Sequence, residues 1–151
     1  MPFTLQTVLS FVCMLAVLAG CSSEGPEITG LVTLDGRALS KARVAFEPVT
    51  QQKAAYSAMA VCDEQGAFTV VPQSAGRTLE PGTYGVTISR KTDPQGNVPT
   101  DEDYGQYEAA GALLESVPGK YTSIQPGGAY TLTVEIGKGS VEPLDLQLTS
   151  Q

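Results

Sequence analysis

The chain has 151 residues, with 9 Lys or Arg against 16 Asp or Glu, no His and no Trp, and a net charge of −7. That acidic balance argues against nucleic acid or an anionic lipid surface as a partner, because both are held through basic patches. The lack of His, with only three Cys and no cluster of them, excludes zinc centres and Ser-His or Cys-His catalysis.

From Thr7 to Gly20 the chain runs fourteen residues without a charge, and no Lys or Arg precedes that run. A membrane span needs about 20 apolar residues to cross about 30 Å of hydrocarbon. The run is shorter and has the length of a signal-peptide core followed by small residues at a cleavage point. It closes on Leu18-Ala19-Gly20-Cys21, which resembles the lipobox of bacterial lipoprotein precursors. The resemblance implies cleavage between Gly20 and Cys21, with a diacylglyceryl thioether and an amide-linked acyl chain on Cys21. Two or more chains meet the condition for stable anchoring, since one buries too few CH₂ groups at about 0.8 kcal/mol each. The alternative is an ordinary cleaved signal peptide that leaves Cys21 a spare thiol.

On this reading residues 1–20 are removed, 21–27 form the lipidated Cys and a polar tether, and 28–151 form one domain. The expected location is the cell envelope, either at the outer membrane or on the outer leaflet of the cytoplasmic membrane. Ser22 after the lipidated Cys suits outer-membrane transport, by analogy with two-membrane bacteria. Of the three cysteines only Cys62 lies in the domain, so no disulfide forms within it. A lone exported Cys is either buried or pairs between chains, and the apolar run around Cys62 favours burial.

The rest of the chain alternates with period two, the pattern of half-buried strands. Ile28, Gly30, Val32 and Leu34 share one face, as do Ala42, Val44 and Phe46. Tyr56 to Cys62 is a third run, Phe68 and Val70 mark a fourth, and Tyr84, Val86 and Ile88 a fifth. Tyr130, Leu132, Val134 and Ile136 alternate with outward Thr131, Thr133 and Glu135, and Leu144, Leu146 and Leu148 form the seventh. Asp35-Gly36, Asp63 to Gly66, Glu80-Pro81-Gly82 and Pro126-Gly127-Gly128 supply turns between them. About seven short strands predict an all-β fold, an antiparallel two-sheet β-sandwich over one apolar core.

The connection from Lys91 to Ala129 is far longer than a hairpin loop. Tyr107 to Ser116 within it reads as one or two helical turns that pack Leu113 and Leu114 on the sandwich. Asp93, Asp101, Glu102 and Asp103 cluster there with Asn97. Asp101 and Asp103 are the best calcium-ligand candidates, but the spacing is not that of an EF-hand, and a solvated acidic loop is the simpler account. Tyr104, Tyr107 and Tyr121 form a candidate ligand surface for glycan or peptide, against the plainer role of covering sheet edges. Asp63 with Glu64, and Glu108 with Glu115, are the paired carboxylates a hydrolase would need. Neither pair comes with a cleft-forming framework, so no catalytic residues, no metal and no cofactor are assigned.

Gly30 to Pro48, Asp63-Glu64-Gln65-Gly66-Ala67-Phe68 and Pro81-Gly82-Thr83-Tyr84-Gly85-Val86, in that order, resemble the carboxypeptidase regulatory-like domain. The resemblance covers most of residues 28–90 and, more weakly, 117–148. Cys62 stands where the family more often has Thr, and residues 100–115 are an insertion. The resemblance implies a transthyretin-like sandwich serving as a non-catalytic accessory, structural or interaction module. The implied partners are the membrane, through the N-terminal lipid, and an envelope protein or glycan.

Overall fold

The computed structural model describes residues 27–49, 57–70, 79–139 and 141–151. Gly20, Cys21 and Tyr56 lie outside the described residues. All seven expected runs become strands: β1 Ile28–Leu34, β3 Arg43–Pro48, β4 Ala58–Val61, β5 Ala67–Val70, β6 Gly82–Ser89, β9 Leu132–Ile136 and β10 Leu144–Leu148. Three two-residue strands join them: β2 Arg37–Ala38, β7 Lys91–Thr92 and β8 Leu114–Glu115. The helices α1 Asp101–Ala109 and α2 Gly119–Thr122 complete the set.

The fold is mostly β. One four-stranded sheet runs β4-β3-β6-β9, antiparallel throughout; in the other, β1 is flanked by β10 on one side and by β5 and β2 on the other. Inward residues of both sheets, among them Val32, Phe68, Leu146 and Leu148 from one and Val44, Phe46, Tyr84 and Ile88 from the other, form one buried cluster. Phe46 and Phe68 meet across the two layers with ring centroids 6.0 Å apart, a pairing that adds roughly 0.5–1.5 kcal/mol beyond area burial. Phe68 has room because its cross-strand partner is Gly30. A Cβ on Gly30 would lie 2.5 Å from the Phe68 ring. The buried Tyr84 phenol donates to the Glu80 carbonyl at 2.9 Å, so the core keeps no unpaired hydroxyl there.

Two departures from the sequence expectation concern direction and facing. β10 runs parallel to β1, with Gly30 opposite Leu144 and Leu34 opposite Leu148. The second sheet is therefore mixed rather than antiparallel. The reason is where the strands end and begin: β9 ends beside Gly82 in one sheet, and β10 begins in the other with Leu144 beside Gly30, near the start of β1. Tyr130 also leaves the inward row. The strand begins only at Leu132, after a bend at Thr131, and the Tyr130 ring lies against the outward side of Gly85. Leu132 and Val134 do pack against the core.

Turn chemistry follows the residues. Asp35 and Gly36 both take positive φ, 51° and 76°, the requirement of a type I′ two-residue hairpin, here joining β1 to β2. Asp63 holds the link from β4 to β5: its Oδ1 accepts from the Gln65 and Ala67 amides, both at 2.9 Å, and Gly66 has φ 78°. Among the described residues, no helix is long and apolar enough to cross a membrane.

Candidate functional site

The long connection is an ordered insertion built outward from the end of β6. Its base is the β7–β8 ribbon, with Lys91 opposite Glu115 and Thr92 opposite Leu114. Glu115 fastens that base to the sheet. Its carboxylate accepts from Ser89 Oγ at 2.6 Å, the Arg90 amide at 2.8 Å and the Val117 amide at 3.1 Å. Lys91 Nζ adds an ion pair at 3.4 Å. Burial opposes ionisation of Glu115, but these donors outweigh it and hold the carboxyl below its usual pKa. Arg90 extends the clasp, its Nε donating to the Ser40 carbonyl at 2.9 Å.

The turn after β7 repeats the one after β4. Asp93 Oδ1 accepts from the Gln95 and Asn97 amides at 2.9 and 2.8 Å, as Asp63 Oδ1 does from Gln65 and Ala67. Gly96 takes positive φ like Gly66. Asp93 is buried; desolvation raises its pKa, yet the Asn97, Gln95 and Gly96 hydrogen bonds prevail and leave it lowered. Both oxygens are occupied, since Asn97 Nδ2 also donates to Oδ2 at 3.2 Å.

The helix lies earlier than the sequence pattern suggested, at 101–109 rather than 107–116. Its boundaries are set by caps. Thr100 Oγ1 accepts from the Asp103 amide at 3.3 Å and donates to Asp103 Oδ2 at 2.8 Å, which makes Thr100 the side-chain N-cap of the helix. At the other end the Gly111 amide bonds the Glu108 carbonyl and the Ala112 amide bonds the Tyr107 carbonyl, with Gly111 at φ 62°. That pair of bonds is a Schellman motif. The Thr-x-x-Asp signal was legible in the sequence and marks the true start.

This geometry reassigns the acidic cluster. Asp101, Glu102 and Asp103 occupy the first helical turn, where carboxylates oppose the positive end of the macrodipole. Among the described residues, no three His, Cys, Asp or Glu side chains converge as a metal-ligating group. The three tyrosines do not form one surface. Tyr104 and Tyr107 lie half-exposed on α1, which contributes no buried residue. Tyr121 is only 6 % exposed, and its hydroxyl accepts from the Thr149 amide at 3.2 Å; it is a core residue of α2, which packs against β6. Leu114, expected to pack on the sandwich, is 52 % exposed, because the two-residue β8 turns it away from the core.

The paired carboxylates are engaged elsewhere. Asp63 caps its turn, Glu64 pairs with Lys41 at 3.0 Å, Glu115 holds the insertion, and Glu108 is exposed on α1. A shallow open depression of about 720 Å³ lies over β5, β1 and β10, lined by Leu31, Val61, Thr69, Pro143 and Asp145. It brings together apolar side chains, Thr29 and Thr69, and the carboxylates Asp63 and Asp145. Sequence reasoning missed Ser89, Arg90 and the role of Glu115, since the clasp joins residues about 25 positions apart with no local pattern. No protein family, curated protein or solved structure matches this chain.

Proposed function

We propose that this chain is a lipid-anchored protein of the bacterial cell envelope whose single β domain is a non-catalytic accessory or interaction module. The observation that carries the proposal is Leu18-Ala19-Gly20-Cys21 at the close of the fourteen-residue uncharged run. The acyl chains on Cys21 would fix the protein to a leaflet, and the short polar segment before Ile28 would hold the domain beside it. A transthyretin-like fold of the carboxypeptidase regulatory-like kind is part of the same proposal. It is supported by two layers of short strands around one core, and by the places its motif residues take: Asp63 and Gly66 in a turn, Phe68 and Tyr84 in the core. Those places are structural, which favours a scaffold over a reaction centre.

The test is processing in cells. Globomycin, which blocks lipoprotein signal peptidase, is expected to make the uncleaved precursor accumulate, and intact mass of the mature protein to show acylated Cys21. Normal processing under the drug, or an unmodified thiol at Cys21, overturns the proposal. A second reading, recognition of a glycan or peptide through residues 91–129, is favoured by one observation: α1 contributes no buried residue, and Leu114 and Ile124 of the same connection are exposed. Saturable binding with a Kd on the order of micromolar, near −8 kcal/mol, that disappears when residues 96–112 are deleted supports it. Unchanged binding after the deletion rejects it.

A further inference from the structure

We infer that β9 is the contact strand of a symmetric dimer. A second copy of this chain adds its own β9, antiparallel, to the open edge of the β4-β3-β6-β9 sheet, with the two-fold axis through Val134.

Strand pairing shows which groups are free at that edge. Val49 donates its amide to the Thr83 carbonyl at 3.1 Å, so Thr83 and Gly85 direct their main-chain groups toward β3. Gly82, Tyr84 and Val86 alternate with them and bond β9, where their partners are Ile136, Val134 and Leu132. Thr133 and Glu135 therefore point the other way. β9 is the last strand of its sheet, and among the described residues no hydrogen bond reaches the main-chain groups of Thr133 or Glu135 from that side. Exposed edges are ordinarily guarded by Lys, Pro or a bulge. Leu132–Ile136 has neither Lys nor Pro, pairs with β6 in unbroken register, and carries one charge, Glu135.

The inner apolar row is unfinished at the same place. Four of the five half-buried hydrophobic residues at the margin of the core, Leu132, Val134, Val141 and Leu144, belong to β9, β10 or the link between them. Other edges are occupied differently. β4 runs through the Asp63 turn into β5 and packs against it, and its inward Ala58, Ala60 and the following Cys62 are already buried. Just beyond β10 the Thr149 amide is taken by the Tyr121 hydroxyl, which puts α2 on that edge.

Self-pairing satisfies the β9 edge in one register. With Val134 on the axis, Thr133 lies opposite Glu135 of the second copy, and these are the residues with free main-chain groups. Two such pairs exchange four hydrogen bonds. Val134 meets Val134 of the second copy as the closer, non-bonded kind of pair, with Cα atoms about 4.5 Å apart. Leu132 comes beside Ile136 of the second copy on the inner face. Charge selects this register. An axis at Glu135 would oppose two carboxylates directly, and an axis at Thr133 would set Glu135 against Thr131, where the chain has bent. The fold already contains the required Thr–Glu pair: Thr83, opposite Glu135 in the ladder, donates to its Oε1 at 3.2 Å and leaves Oε2 for Thr133 of the second copy. Five paired residues cover less than the roughly 800 Å² per partner of a standard interface, so the dimer is weak, with a Kd on the order of tens of micromolar.

The test is oxidative crosslinking of the full chain at a few hundred micromolar, with copper phenanthroline as oxidant. Val134→Cys is expected to form disulfide-linked dimer in several-fold greater yield than the parent chain, whose Cys62 is buried. The same excess is expected over Lys138→Cys, an exposed position beyond the strand. Thr133→Cys mixed with Glu135→Cys is expected to crosslink well and either alone poorly, because like positions on the two copies lie about 7–8 Å apart, too far for a disulfide. Adding Thr133→Glu to Val134→Cys sets like charges face to face and is expected to cut the yield about tenfold, while Thr133→Lys preserves it. Thr133 and Glu135 are exposed, so these changes alter contact and not folding. A yield from Val134→Cys no greater than from Lys138→Cys overturns the dimer. A yield that Thr133→Glu leaves unchanged, or equal yields from Thr133→Cys alone and from the mixture, overturns the register and with it the β9 interface.

Discussion

The hydroxyl of Tyr130 donates to Glu47 Oε2 at 2.6 Å, across 83 residues of sequence, and in doing so lays its ring on Gly85. A Cβ at Gly85 would fall 2.2 Å from the ring, so glycine here is a requirement of Tyr130 and not of the strand. Gly85 faces outward between inward Tyr84 and Val86, opposite Glu47 in the ladder. The phenol thus covers backbone that a bare glycine would leave wet.

Gly85→Ala is therefore expected to lower stability by about 1–3 kcal/mol through overpacking, and most of that loss is expected to vanish in a Tyr130→Ala background. Chemical denaturation of the four proteins in the double-mutant cycle measures it; additive effects would show that the ring does not rest on Gly85. The hydrogen bond to Glu47 first, then burial, push the Tyr130 phenol up to about 12. A raised pKa means the contribution is complete below the ordinary value near 10 and disappears as pH rises through about 12. Tyr130→Phe is expected to flatten that alkaline loss in a series of melts between those limits.

Glu115 gives the opposite pH sign. Its carboxyl is held below the usual 4.5, so its stabilisation is present above that value and is lost as pH falls through the lower folded pKa. Glu115→Gln is expected to cost about 1–2 kcal/mol by weakening charge-assisted bonds to Ser89, Arg90 and Val117. Hydrogen exchange is the discriminating measurement: amides of residues 91–117 should lose protection before those of β3 and β6. Uniform loss over the whole fold would contradict a local clasp.

Thr100→Ala and Gly111→Ala each remove one cap of α1. Each is expected to weaken that helix by about 1 kcal/mol, seen as faster amide exchange over residues 101–112. The global melting temperature should hardly move, because α1 contributes no buried residue. A large drop in melting temperature would mean that the helix supports the core.

Cys62 is 2 % exposed. Burial and the neighbouring Asp63 charge push its thiol up to about 11, against the Ala42 hydrogen bond. Thiolate is the reactive form, so an aromatic disulfide reagent at pH 8 is expected to label Cys62 only at the rate at which the fold opens. Mild denaturant should accelerate labelling by orders of magnitude. Fast labelling of the native protein would place the thiol at the surface.

The seven long strands were legible in sequence because period two records which side of a strand meets the core, and Asp-Gly and Asp-x-x-Gly record where the chain reverses. Cys62 was legible as a core residue for the same reason. Caps were legible but outweighed: the apolar Leu113-Leu114 pair drew the helix toward residue 116, while Thr100 and Gly111 bound it at 101–109.

Tertiary structure alone decided the rest. An alternating pattern carries no record of its neighbour, so β10 beside β1 and parallel to it follows only from which end of the fold β9 leaves. Tyr130 reads as one more inward residue until a bend at Thr131 turns it onto Gly85. Tyr104, Tyr107 and Tyr121 look alike in sequence, yet one fills the core and two ride an exposed helix, because burial depends on what the rest of the chain packs against each ring. Glu115 could be any surface carboxylate until Ser89, Arg90 and Val117 converge on it. Sequence set facing and turning, which are local steric properties; pairing and convergence are long-range, and only the folded chain brings those groups within hydrogen-bond distance.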